Sequence, residues 1–133
     1  MKNQEKEGQK PTESELEILR VLWAQGPSTV RQVHEALLQQ RDTKKDVVYT
    51  TTLKTLQNMY DKRLVGREEA GRGHSYHALV SEESVQTNLI DKLLDAAFGG
   101  SAMKLVMQLL GKHQASPEEL QAIRKLLEEK GKQ

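Results

Sequence analysis

The sequence predicts a mainly α fold with a small β-wing, and three observations carry that prediction. Apolar residues recur at spacings of three and four in successive segments, the period of a helix with one buried face. The stretch after Leu64-Val65 changes to strand character and is broken by Ala70-Gly71-Arg72-Gly73, a glycine-flanked turn. The helix expected just before that hairpin, from Thr50 to Tyr60, turns hydroxyls, an amide and a lysine outward. Such a face offers hydrogen bonds to base edges and phosphates, and an arginine between glycines brings one guanidinium close to a neighbouring phosphate. Helix and hairpin in this order describe a winged helix-turn-helix.

The bulk composition excludes more than it specifies. At 133 residues the chain is long enough for one core plus a helical extension. Twenty basic and 19 acidic residues leave a net charge of +1, so this is no uniformly basic polymer binder. The distribution says more. Residues 31–72 hold nine basic side chains against six acidic ones, and residues 81–133 hold seven against eight. The excess falls where phosphates would be met. Cysteine is absent, which excludes disulfides, thiolate metal sites and cysteine redox switching. No apolar run approaches membrane-span length and no signal-peptide pattern opens the chain, so the expected compartment is the cytoplasm, without membrane insertion.

The elements follow in order. Residues 1–11 hold no apolar side chain after Met1 and are expected to be a disordered tail. Residues 12–80 form the winged-helix domain. Thr12-Glu13-Ser14-Glu15 is a capping box, and Leu16, Ile18, Leu19, Leu22 and Trp23 make the first buried stripe. Gly26-Pro27 stops this helix. Ser28 is expected to cap a second one through Gln40, with Val30, Val33 and Leu37 inward and Leu38 beside them. Arg41 to Asp46 is a polar connection. In the third helix Leu53, Leu56, Met59 and Tyr60 are expected inward, which leaves Thr51, Lys54, Thr55 and Asn58 on the opposite face.

Residues 81–133 continue as helices. Ser81-Glu82-Glu83 caps a segment with Val85, Leu89, Leu93 and Ala96 at helical spacing, and Gly99-Gly100 break it. Ser101 starts another, with Met103, Val106, Met107 and Leu110 in a stripe. Ser116-Pro117-Glu118-Glu119 starts the last, whose stripe is Leu120, Ile123, Leu126 and Leu127. Three helices of about a dozen residues are too short to close a comfortable monomeric core. Their apolar faces are expected to meet a second copy of the chain, with Leu89, Leu93, Val106, Met107, Leu110, Ile123 and Leu126 in the interface. That makes residues 81–133 a helical dimerisation region.

The expected partners are double-stranded DNA and a second copy of the chain. Thr51, Lys54, Thr55 and Asn58 are the candidate base readers, with Arg72 on the wing as a phosphate contact. Thr50 serves as N-cap, phosphate contact or both, because caps sit where phosphates dock. Tyr49 reads equally as core or contact, and Arg31 as phosphate clamp or surface charge. His74 suits wing packing or a phosphate. Metal binding is not expected: His74 and His77 are three apart on a strand and point to opposite faces, while His34 and His113 lie elsewhere. No cofactor is expected and no catalytic residue is assigned, since phosphate loop, nucleophile elbow and His-Glu-x-x-His spacing are all missing. The alternative from another class is a winged helix used only for protein–protein contact, an adaptor, which the modest net charge allows.

Several motifs resemble the penicillinase-repressor family, which includes the methicillin-resistance and copper-responsive repressors. Glu15 to Trp23 followed by Gly26-Pro27 looks like its first helix, and Tyr49-Thr50-Thr51-Thr52-Leu53 is similar to its recognition helix. Asp61-Lys62 with Leu64-Val65, and Gly71-Arg72 with Tyr76, look like its helix end and wing. Ser81 to Leu110, with Phe98-Gly99-Gly100-Ser101, resembles its dimerisation segment. The resemblance runs from Pro11 onward and implies a dimeric repressor on a dyad-symmetric operator, commonly encoded beside a membrane-bound sensor protease. Departures are specific. Asn58 stands where the family usually has arginine, which suggests a different operator. Arg63 stands where it usually has glycine, at a helix end that often needs a left-handed backbone. Without cysteine, copper sensing of the family's kind is excluded. The family's cleavage position, an Asn-Phe bond, falls at Gln108-Leu109, so the region corresponds but the bond does not.

Overall fold

A computed structural model of the chain describes residues 10–40, 47–112 and 115–131. Most of the expected tail, the Arg41–Asp46 connection and His113 lie outside the described residues. The described elements are α1 (Glu13–Gln25), β1 (Ser28–Thr29), α2 (Val30–Gln40), α3 (Tyr49–Asp61), β2 (Val65–Ala70), β3 (Gly73–Ala78), α4 (Glu82–Ala97), α5 (Ala102–Lys112) and α6 (Pro117–Gly131). The chain divides into two compact units, one reaching Gln86 and one starting at Thr87.

In the first unit, α1 begins at the expected capping box. Glu15 N–H donates to Thr12 Oγ1 at 3.2 Å, and Thr12 N–H donates to Glu15 Oε1 at 2.9 Å. The same carboxylate oxygen, buried, accepts from Lys62 Nζ at 2.9 Å, which ties the start of α1 to the end of α3. Gly26 ends α1 with φ 80, a conformation glycine adopts without steric penalty. Ile18, Leu19, Val21 and Leu22 of α1 pack with Val33 and Leu37 of α2, Leu56 and Met59 of α3, Leu64 before the sheet, and Val65 and Tyr76 within it. Each such burial removes a side chain from water and contributes roughly 1.5–3 kcal/mol. Trp23 lies at the edge of this core and donates from Nε1 to the Val80 carbonyl at 2.9 Å.

Three expectations are corrected here. Ser28 does not cap the second helix: with Thr29 it forms β1, pairing antiparallel with β3 at Ser28–Tyr76 and Thr29–Ser75. The cap is Thr29, whose Oγ1 accepts from Gln32 N–H at 3.2 Å while Gln32 Oε1 accepts from Thr29 N–H at 2.9 Å. Ser28 is buried, and its hydroxyl bonds the Gly26 carbonyl instead. Leu38 is exposed, because Val33 and Leu37 already complete the buried stripe of α2. Tyr60 is exposed as well, and the guanidinium of Arg67 covers its ring. Leu56, Met59 and a buried Thr52 supply the inner face of α3.

The sheet has the order β1-β3-β2 and is antiparallel throughout. Ala70 pairs with Gly73, so Gly71 and Arg72 form a two-residue turn with Gly71 at φ 61. Glycine at the first central position with positive φ is the type II′ arrangement, whose twist matches the strands. Gly66 lies opposite His77, and a Cβ added there would come within 2.6 Å of the ring nitrogen, so glycine makes room for the imidazole.

The helices that follow the wing start where local caps set them. Ser81 accepts from Ser84 N–H and Ser101 from Lys104 N–H, both at 3.1 Å. Ser116 and Glu119 close a reciprocal box, each bond 3.0 Å long. Gly99 and Gly100 have φ 57 and 82, and Gly100 N–H reaches back to Leu94 O at 2.9 Å. No residue of α5 or α6 is buried. Among the described residues, no single helix is long and apolar enough to cross a membrane.

Candidate nucleic-acid interface

Helix α3 starts without a side-chain cap. Its N-cap is Val48, extended at φ −82 and ψ 152, and the N–H groups of Thr51 and Thr52 reach the Val48 carbonyl at 3.0 and 3.3 Å. Thr50, expected as the cap, is already inside the helix, where the backbone is no longer extended as a cap requires. It is exposed. The consequence favours a ligand: no side chain of the N-cap residue holds the first turn, and exposed Thr50 stands there at the positive end of the helix dipole.

The first turn of α2 lies beside this end. The guanidinium of Arg31 sits 5.8 Å from the centre of the Tyr49 ring, and His34 meets the same ring edge-on at 5.6 Å. Arg31 and His34 are one turn apart, so together they bracket Tyr49, which lies at the surface rather than in the core. His34 Nδ1 also lies 3.1 Å from the hydroxyl of buried Thr52. His34 therefore anchors the start of α3 to α2, a role sequence reasoning missed. Its spacing of three from Arg31 was the available signal.

Along the outer face of α3, Thr51, Lys54 and Asn58 are exposed at spacings of three and four, and Thr55 is half-buried beside them. The Thr55 hydroxyl donates to the Thr51 carbonyl at 2.8 Å, so toward an outside partner it can only accept. Lys54, Asn58 and Arg72 make no side-chain hydrogen bond or ion pair with another described residue. Arg72 is exposed at the hairpin tip. His74 is half-buried, opposite Glu69 in the ladder and edge-on to Tyr76 at 6.2 Å, which puts its ring in the wing packing. His77 lies on the other face, against Gly66. Among the described residues no three His, Asp or Glu side chains come together as a metal site.

The second unit presents apolar surface instead. Leu93, Val106, Met107, Leu110, Ile123 and Leu126 are exposed and Leu89 is half-buried. Gln108 and Leu109 lie on α5, also exposed.

The family model described as penicillinase repressor matches residues 11–129. The chain is 31% identical over 114 residues to the transcriptional regulator BlaI of Mycobacterium tuberculosis, covering 84% of this chain and 78% of that protein. It is 20% identical over 117 residues to the methicillin resistance regulatory protein MecI of Mammaliicoccus sciuri and of Staphylococcus aureus, covering 88% and 92%. The chain belongs to the penicillinase repressor family: it is a DNA-binding transcriptional repressor and not an enzyme.

Proposed function

We propose that the protein acts as a homodimer on a dyad-symmetric operator, in the cytoplasm where that DNA lies. Helix α3 enters the major groove N-terminal end first. Thr51, Lys54, Thr55 and Asn58 read base edges, while Arg31, Tyr49, Thr50 and Arg72, with His74 behind the wing, hold the phosphate backbone. The observation that carries this reading is the uncapped start of α3, lined by Thr50 and Thr51 and flanked by Arg31 and Tyr49. Family membership favours it over the protein-only adaptor.

Dimerisation is supported by the apolar side chains of α4–α6 that a single chain leaves in water; Met107 is 66% exposed and Leu126 55%. Two copies related by a two-fold axis place their reading helices about 34–36 Å apart, or a multiple of that. Induction then acts on the pairing. A membrane-bound sensor protease that cuts between Gly99 and Gly111, the region holding Gln108 and Leu109, removes α6 and much of α5 from the reading unit. One bivalent repressor becomes two weak monovalent binders.

The test is a fluorescence titration of the DNA upstream of the protein's own gene against random DNA across a salt series. Salt-dependent, sequence-selective binding supports the proposal, and equal binding to both DNAs contradicts it. Copper, zinc or a β-lactam added directly should leave operator binding unchanged, whereas cleavage between Gly99 and Gly111 should release it. Direct release by a small molecule refutes the proteolytic switch.

A further inference from the structure

The contact between Arg67 and Tyr60 has no part in the interface so far described. Tyr60 stands in the last turn of α3, and the guanidinium carbon of Arg67, on β2, lies 3.9 Å from the centre of its ring. At that distance the planar cation rests on the ring face. The ladder places Arg67 directly opposite buried Tyr76, so its side chain leaves the hairpin on the face turned toward the core. Farther out on the same strands come the Glu69–His74 pair and then the turn that carries Arg72.

Covalently, α3 and β2 are joined only through Lys62, Arg63 and Leu64 at the base of the hairpin. Strand β3 is held besides by its pairing with β1 at Ser75 and Tyr76 and by the burial of Tyr76, whereas β2 is the outer strand of the sheet. The stack of Arg67 on Tyr60 ties this outer strand to α3 at a point nearer the tip than the covalent link. We infer that Arg67 and Tyr60 are positioning residues: their stack sets the direction of the wing, so that Arg72 meets a phosphate while α3 lies in the groove. The inference rests on the proposed reading of α3 and the wing as the DNA interface. Lysine would not replace Arg67, because an ammonium has no flat face to stack.

Operator binding by the full chain across a salt series tests this. Tyr60→Leu removes the ring but leaves every charge in place, and it should mimic Arg72→Ala: affinity roughly fivefold weaker and a salt slope lower by about one. Tyr60→Phe, which keeps the ring, should bind as the unaltered protein does. In an Arg72→Ala background, Tyr60→Leu and Arg67→Met should change nothing further, because the contact they would misplace is already gone. Thermal unfolding checks that the variants are folded; Arg67→Met serves where Tyr60→Leu is not. Unaltered binding by Tyr60→Leu, or losses that add to that of Arg72→Ala, overturns the inference. If Arg72→Ala alone has no effect, or the unaltered protein does not prefer its operator, the underlying reading fails instead.

Discussion

Arg63 is the sole described residue other than glycine with a positive φ, at 66°. It follows α3 directly, and the chain closes there with Lys62 N–H on Asn58 O at 3.0 Å, Arg63 N–H on Tyr60 O at 3.1 Å and Leu64 N–H on Met59 O at 2.9 Å. The last two bonds are the pair that ends a helix through one left-handed residue. A left-handed backbone costs an L-residue roughly 1–2 kcal/mol, and glycine avoids that. Glycine returns about 0.4–1 kcal/mol of it through the greater entropy of its unfolded chain. Replacing Arg63 also removes a positive charge from the negative end of α3, about 0.3–1 kcal/mol. Comparing Arg63→Gly with Arg63→Ala cancels the charge and isolates the backbone. The glycine variant should be the more stable of the two by roughly 0.5–1 kcal/mol. For a unit of this size that is about 2–8 °C in Tm. Thermal unfolding followed through Trp23, the one tryptophan, measures it. At an ordinary helical position the order is reversed, so an alanine variant as stable as the glycine variant would refute the backbone argument.

Further outcomes follow from the same geometry. Lys54→Ala and Arg72→Ala should each weaken operator binding without lowering Tm by more than a degree or two, since both side chains are exposed; binding and melting curves on the same samples check this. Thr12→Ala removes the hydroxyl that caps α1 and should cost about 1 kcal/mol, read from denaturant unfolding. Met107→Asp or Leu126→Asp should shift sedimentation at micromolar concentration from dimer to monomer while leaving the first unit folded. A monomer for the unaltered chain would defeat the dimer proposal.

What the sequence disclosed well depends on short-range chemistry. The box at Thr12–Glu15 and the caps at Ser81 and Ser116 need only residues within one turn, and the structure shows each bond. The wing was legible because Gly71 and Gly73 bracket the turn, and the left-handed Arg63 through the resemblance, since the family usually has glycine at that helix end. What escaped is long-range. Strand β1 is two residues long and exists through backbone pairing with Ser75 and Tyr76, which no local period announces. Tyr60 has the spacing of an inward residue, yet Arg67 from a separate strand holds its ring at the surface. His34 looked isolated because Thr52 and Tyr49, its neighbours in space, stand on another helix. In the candidate interface the outer face of α3 was readable from its period, and the Thr50 cap was misplaced because Val48 supplies the carbonyl from one position before the helix.

The central claim is that α3 reads bases while the wing holds backbone, and one comparison tests it most directly. Affinities of the unaltered protein, Asn58→Ala and Arg72→Ala are measured on the operator and on random DNA at several salt concentrations. Asn58→Ala should lose affinity for the operator far more than for random DNA, with the salt slope unchanged. Arg72→Ala should weaken both to a similar degree and lower the slope by about one. Equal losses on both DNAs for Asn58→Ala would contradict base reading by α3.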